Sequence, residues 1–230
     1  MGKDVSIQPL HAWNLPPEQA AALQRALRAQ LILTWAPQPI RSIAGVDVGV
    51  QGARGRCAII VLSYPALERL DAVVIEDQVT YPYIPGLLTF REGPLVIKAW
   101  ERLSILPDVV MFDGQGIAHP RRMGIAAHLG LWLDKPTLGV AKSHLYGRHV
   151  PPGETAGDFA YLYAEEGEEI IGAALRTRTG VKPVYVSPGH RMDLAQAIQL
   201  TLSTCRGYRL PEPTRLAHHL TRGAAQLPLL

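Results

Sequence analysis

The chain has 230 residues, of which 47% are hydrophobic and 19% charged, and it reads as one globular domain over residues 1–230. A formal charge of +3 permits a nucleic-acid partner without requiring one. No window approaches the ~20 apolar residues that a membrane helix needs, and residues 1–13 hold no leader-like apolar run, so a soluble cytoplasmic protein with no membrane partner is expected.

In chain order, residues 18–35 carry Leu23, Leu27 and Leu31 on one helical stripe, with Pro16 and Pro17 suited to the first turn and Pro37 just past the end. Strands are expected over 43–50, 57–64 and 71–79. Gly52-Ala53-Arg54-Gly55 and Tyr64-Pro65-Ala66-Leu67 join them at hairpin distance, which gives an antiparallel meander. Tyr81-Pro82-Tyr83-Ile84-Pro85-Gly86 is a stiff loop with two prolines. A helix is predicted over 95–103, a buried strand over 109–112, a helix over 122–133 and a short strand over 136–141. Residues 150–169 are rich in Pro, Gly and Glu and read as a surface excursion. Strands follow over 170–176 and 184–187. A helix starts at Asp193, with Gln196 placed for a capping box, and a last short helix starts near Pro213. A meander followed by strands separated by helices is a mixed α/β sheet flanked by helices, the layout of the ribonuclease H-like fold.

Cys57 and Cys205 show no metal-ligand spacing and read as free thiols in a reducing compartment. Only five of the 23 basic residues are lysine, and Asn14 is the sole asparagine, a bias that fits heat tolerance or a GC-rich genome equally well.

Alternation along the first strand puts Val46, Val48 and Val50 on one face and Gly45, Asp47 and Gly49 on the other. A carboxylate between two residues without side chains can admit a metal ion with a phosphate. Asp113 ends the run Val109-Val110-Met111-Phe112 beside Gly114, and two such aspartates point to metal-dependent phosphoryl transfer. Glu92 is a third candidate acid, or an acid placed to favour a helix dipole. His119 follows Gly114 and Gly116, whose backbones can approach a ligand closely, and Arg121 and Arg122 face either phosphate or solvent. Lys142 ends a strand pattern, where its charge can meet a phosphate. Tyr83 and Ile84, between Pro82 and Pro85, either wedge between bases or pack on their own core.

Paired Asp-Thr/Ser-Gly loops of an aspartic protease are absent, and so is the second phosphate loop of an actin-like ATPase or sugar kinase. A catalytically silent binder of damaged nucleic acid stays open.

Ala44-Gly45-Val46-Asp47-Val48-Gly49, Pro82-Tyr83-Ile84-Pro85-Gly86, Phe90-Arg91-Glu92, the segment from Asp113 to Arg122, Gly139-Val140-Ala141-Lys142, Gly189-His190-Arg191 and the segment from Tyr208 to Arg215 together resemble the endonuclease V family. The resemblance implies a ribonuclease H-like fold and a monomer that uses Mg²⁺, with Mn²⁺ able to substitute. The implied substrate is DNA containing deaminated bases, chiefly hypoxanthine, nicked at the second phosphodiester bond on the 3′ side to leave 3′-hydroxyl and 5′-phosphate ends. Inosine-containing RNA is the alternative substrate. It places the metal on Asp47, Glu92, Asp113 and His218, and Lys142 and His119 near the scissile phosphate. The Pro82-Tyr83-Ile84-Pro85 loop becomes the wedge, and Gly86, Leu88, Gly114 and Gly116 the region that reads the flipped base. Gln115 varies among members and carries no assigned role.

Overall fold

The computed structural model describes residues 7–223. Its strands are β1 (Ser42–Gln51), β2 (Arg54–Ser63), β3 (Arg69–Gln78), β4 (Val109–Phe112), β5 (Thr137–Ala141), β6 (Phe159–Tyr163), β7 (Ile170–Leu175) and β8 (Val184–Pro188). They form one sheet in the order β3-β2-β1-β4-β5-β8-β7-β6. β1, β4 and β5 run parallel, and every other pairing is antiparallel. Helices α1 (Pro17–Leu27), α2 (Leu88–Trp100), α3 (Ile125–Leu133), α4 (Leu194–Ser203) and α5 (Glu212–Thr221) pack on it. This is the expected mixed, helix-flanked sheet.

The alternation read in β1 sorts its side chains onto two cores. Ala44 and Val46 join Leu95, Val96, Ala99 and Trp100 of α2 and Leu129 and Trp132 of α3. On the opposite face Ile43, Ile60 and Leu62 meet Leu200 of α4 and Leu216 of α5. Gly52, at φ +61°, supplies the left-handed residue of the tight β1–β2 turn. No described helix is long and apolar enough to cross a membrane.

Four expectations change. The first helix stops at Leu27, with one 3-10 turn over Arg28–Gln30, instead of reaching residue 35. Leu31 is extended and the Ile32 amide donates to His190 Nδ1 at 3.3 Å, yet Leu23, Leu27 and Leu31 still pack on one apolar cluster. The second helix starts at Leu88, a full turn and more before Pro94, which sits inside it. Proline removes one helical hydrogen bond, and the burial of Phe90, Leu95 and Trp100 outweighs that loss. Arg122 adopts φ +57° and cannot belong to α3, which begins at Ile125. The excursion over 150–169 contains β6, an edge strand whose Phe-Ala-Tyr-Leu-Tyr alternation was overlooked behind the Pro- and Gly-rich residues before it. A second meander, β6-β7-β8, therefore closes the sheet.

Candidate active site

β4 pairs β1 only as far as Val46–Phe112, and the Asp113 amide donates to the Val46 carbonyl at 3.0 Å. The chain then turns away, so the sheet opens beside Asp47. Carboxyl ends of adjacent parallel strands are where α/β sheets place ligands.

The flanking glycines do something other than the sequence reading supposed. A Cβ on Gly45 would collide with the Pro213 carbonyl at the start of α5, and one on Gly49 would touch Thr221 at its end. The space beside Asp47 admits a helix, and that helix brings His218 and Thr221 to the carboxylate. The Thr221 hydroxyl donates to Asp47 Oδ2, and His218 Nδ1 lies 3.2 Å from the same oxygen.

Asp47, Asp113 and His218 offer two oxygens and a nitrogen within 4.8 Å of one another. Lys142, at the end of β5, joins them through an ion pair with Asp113 and a 3.4 Å approach to His218 Nδ1. Glu92, in the second turn of α2, stands outside this trio but feels its field. Burial first, and then the Asp47 and Asp113 charges working against Arg91, push its carboxyl up to about 8. Asp113 is pushed up to about 6, because burial outweighs the Lys142 ammonium. Crowded acids short of positive charge, beside an imidazole, suit a hard divalent cation.

One turn before Glu92, Leu88 and Thr89 line a cavity of about 90 Å³ with Tyr83, Ile84, Gly86, Gln115, His119, Met123, Gly124, Ile125 and Leu145. Its rim is the proline loop. Tyr83 is 69% exposed at the tip, with Pro82 and Pro85 also exposed, whereas Ile84 packs on the cluster of Ala20, Tyr81, Leu87 and Phe90. The Gly86 carbonyl, at φ +79°, accepts from His119 Nε2 at 3.0 Å, Arg121 Nη2 at 2.7 Å and Gln24 Nε2 at 3.1 Å. The Arg121 amide donates to His119 Nδ1, which fixes the tautomer with its proton on Nε2. Burial and Arg121 bring the His119 imidazole down to about 4, so it is neutral at pH 7.

Most of the expected residues come together, in two groups. Asp47, Asp113, His218 and Lys142 form one, with Glu92 beside it. Tyr83, Ile84, Gly86, Leu88 and His119 form the other. His119 is thus in the cavity wall and not among the acids. Gly114 and Gly116 pack against Ile125 and the Pro188 carbonyl, and Gln115 between them is the residue that lines the cavity. Both arginines bond within the fold. Arg121 Nε donates to Gln24 Oε1 at 2.6 Å, and Arg122 pairs with Glu169 at 2.6 Å under the Tyr146 ring.

Gln24 and Thr221 escaped the sequence reading. Gln24 is fully buried and also donates to the Met123 carbonyl, so it ties α1 to both the loop and the cavity wall. Its signal was a polar side chain on the face of Ala20 and Leu27. The signal for Thr221 was its position three residues after His218, on the same side of a helix.

The sequence model of the family described as Endonuclease V matches residues 25–219. The chain belongs to the endonuclease V family. An endonuclease V of Kosmotoga olearia is 50% identical over 219 residues, 95% of this chain and 96% of the relative. The crystal structure of the Streptomyces avermitilis endonuclease V is similar with a TM-score of 0.86 at 41% identity, covering 93% of this chain and 94% of that one. An endonuclease V of Ciona intestinalis, in complex with a 24mer DNA containing an inosine followed by a ribo-adenosine, is similar with a TM-score of 0.78 at 25% identity, covering 89% and 97%. The acidic group and the cavity of this endonuclease V fold thus sit two residues apart on one turn, Asp113 in the first and Gln115 in the second.

Proposed function

We propose that the chain is a metal-dependent repair deoxyribonuclease, working as one monomeric domain in the cytoplasm. It nicks a strand at the second phosphodiester bond 3′ to deoxyinosine or another deaminated base and leaves 3′-hydroxyl and 5′-phosphate ends. The observation that carries this reading is the junction of a cation-suited cluster with a cleft under an exposed aromatic tip. The Ciona relative's inosine-containing DNA supports the substrate class.

Asp47, Asp113 and His218, with Glu92 beside them, would hold Mg²⁺, or Mn²⁺ in its place. When bound, the ion supplies Lewis acidity to the phosphate and lowers the pKa of a bound water. Thr221 and His218 hold the Asp47 carboxylate in one orientation. Lys142 offsets charge on the phosphate oxygens. Glu92 either orients the attacking water or adds an oxygen ligand. Tyr83 and Ile84 enter the stack at the lesion, and Pro82 and Pro85 preset the loop so that little entropy is lost on contact. The flipped base lies beside Gly86 and Leu88, with Gly114 and Gly116 packing the turn behind the cleft. His119 acts from the cavity wall, where its hydrogen bond to the Gly86 carbonyl sets the loop against the base.

The test is to incubate end-labelled inosine DNA and inosine RNA with the protein, with and without Mg²⁺, and map the ends. A single cut at the second bond, present only with metal, is the expected result. Lesion binding without any cut would replace the enzyme by a silent binder, and preferential cutting of the RNA would make RNA the substrate.

A further inference from the structure

On the far side of Asp47 from the cavity lies an open groove of about 720 Å³, whose walls include Gly49, Arg54, Arg56, Glu76, Thr221 and Arg222. Sheet order sets the sides. β4, which leads to Asp113 and Gln115, flanks β1 on one edge, and β2, which carries Arg54 and Arg56, flanks it on the other. The ladder sets the face. Gly49 pairs with Arg56, and Gln51 with Arg54. Cross-strand partners share a face and alternate residues repeat it. Both arginines therefore stand on the Asp47 face, one and two steps of about 7 Å beyond the carboxylate. The end of α5 lies over the same face. Thr221 donates to Asp47, and a Cβ on Gly223 would lie 3.8 Å from Arg56 Nη1.

The groove is short of negative charge, the reverse of the acidic cluster it adjoins. Arg56 is paired with Glu76 at 3.0 Å. Arg54 and Arg222 are exposed and have no ion-pair partner among the described residues. A guanidinium presents a fork of donors that matches phosphate oxygens. The order of the three regions gives the strand a direction. With the base in the cavity and the scissile phosphate at the acids, the strand comes to Asp47 from the Gln115 side and leaves over Gly49. What lies past the cut on that path is the 3′ flank. Resting on the proposed function, we infer that Arg54 and Arg222 hold the phosphates 3′ of the cut, and so position the scissile bond over the acids from its downstream side. Arg56 stays with Glu76 and forms the floor between them.

The experiment uses single-stranded oligonucleotides with one inosine, whose 3′ flank either stops at the cut or runs well past it, and a matching pair for the 5′ flank. Binding is measured over a series of salt concentrations, without added metal so that no strand is cut. Wild type should bind the long 3′ flank more tightly than the short one. In the double variant Arg54→Gln, Arg222→Gln that gain should fall about tenfold, the worth of two exposed ion pairs. The slope of log affinity against log salt should shrink by about 1.4, from two single-strand phosphate contacts at about 0.7 each. The gain from the 5′ flank should stay within about twofold. Arg54→Lys with Arg222→Lys keeps the charge and should keep the wild-type slope. An undiminished 3′ gain overturns the inference. An equal fall in both gains overturns it, because that marks the general field of the protein, and a fall in the 5′ gain alone reverses the strand and overturns it too. A lysine pair with the slope of the glutamine pair overturns the assignment to charge. Equal binding of inosine and adenine oligonucleotides by wild type is a different failure, that of the proposed function, and it takes the strand direction with it.

Discussion

The two halves of the site are built from opposite materials. Around Asp47 the groups are charged, and their buried oxygens crowd together with too little positive charge. Around Gly86 the groups are neutral apart from the Arg121 guanidinium, and nearly every donor has an acceptor of its own. The first arrangement waits for a cation and the second waits for a shape. Each is poor at the other's task. A largely apolar cleft gives little purchase on a phosphate, and a buried acidic cluster cannot tell one base from another. Separate lesions in the two regions should therefore have separable consequences.

The largest effect belongs to the acids. Asp47→Ala or Asp113→Ala should reduce metal-dependent nicking by roughly 10³-fold or more, while binding of inosine DNA persists in a gel-shift assay. Near-normal cutting by either variant would remove that residue from the cluster's chemistry. Next is the aromatic tip. Tyr83→Ala should weaken binding to an inosine site by about tenfold, the scale of one lost base stack, and leave metal affinity by titration unchanged. A changed metal affinity with intact lesion binding would mean that the two regions are not separate.

A third test reaches the cavity through α1. Gln24→Leu removes the donors on the Gly86 and Met123 carbonyls and the acceptor of Arg121. It should cost about 2 kcal/mol, seen as a fall in melting temperature of about 5 °C, and weaken lesion binding with it. A folded, fully stable Gln24→Leu would show that the clamp is redundant.

The last test is of pH dependence, where the two regions have opposite signs. Glu92 has its pKa raised in the fold from 4.5 to about 8. Its protonated form is favoured by folding, so that contribution is complete below pH 4.5 and is lost as pH rises towards 8. His119 has its pKa lowered from 6.5 to about 4. Its contribution is complete above 6.5 and is lost as pH falls towards 4. In metal-free protein, Glu92→Gln should flatten the alkaline limb of melting temperature against pH and leave the acid limb alone. Added Mg²⁺ should stabilise wild type more than this variant. An unchanged alkaline limb would place Glu92 outside the field of the other acids.

The acidic half was more legible in the sequence than the cavity. Asp47 and Asp113 were visible because strand alternation and a following glycine are local patterns. The architecture followed from the meander and the buried run at 109–112. Glu92 reads as an acid just before a helix over 95–103, and only packing of Phe90 and Trp100 reveals that the helix begins earlier. The meaning of Gly45 and Gly49 was misread, since nothing near them in sequence says that α5, some 170 residues on, lies across them. Gln24 was invisible for a related reason. An amide's role depends on which of its atoms find partners, and that is settled only when distant segments close around it.

Gly45 makes the point about reach. Pro213 rests on bare backbone there, so even a methyl group would lift the amino end of α5. The helix would tilt, and the imidazole and hydroxyl about one and two turns along would drift from the carboxylate they steady. Gly45→Ala would leave every coordinating atom in the chain and still disarm it, a lesion of spacing that no inventory of functional groups would detect.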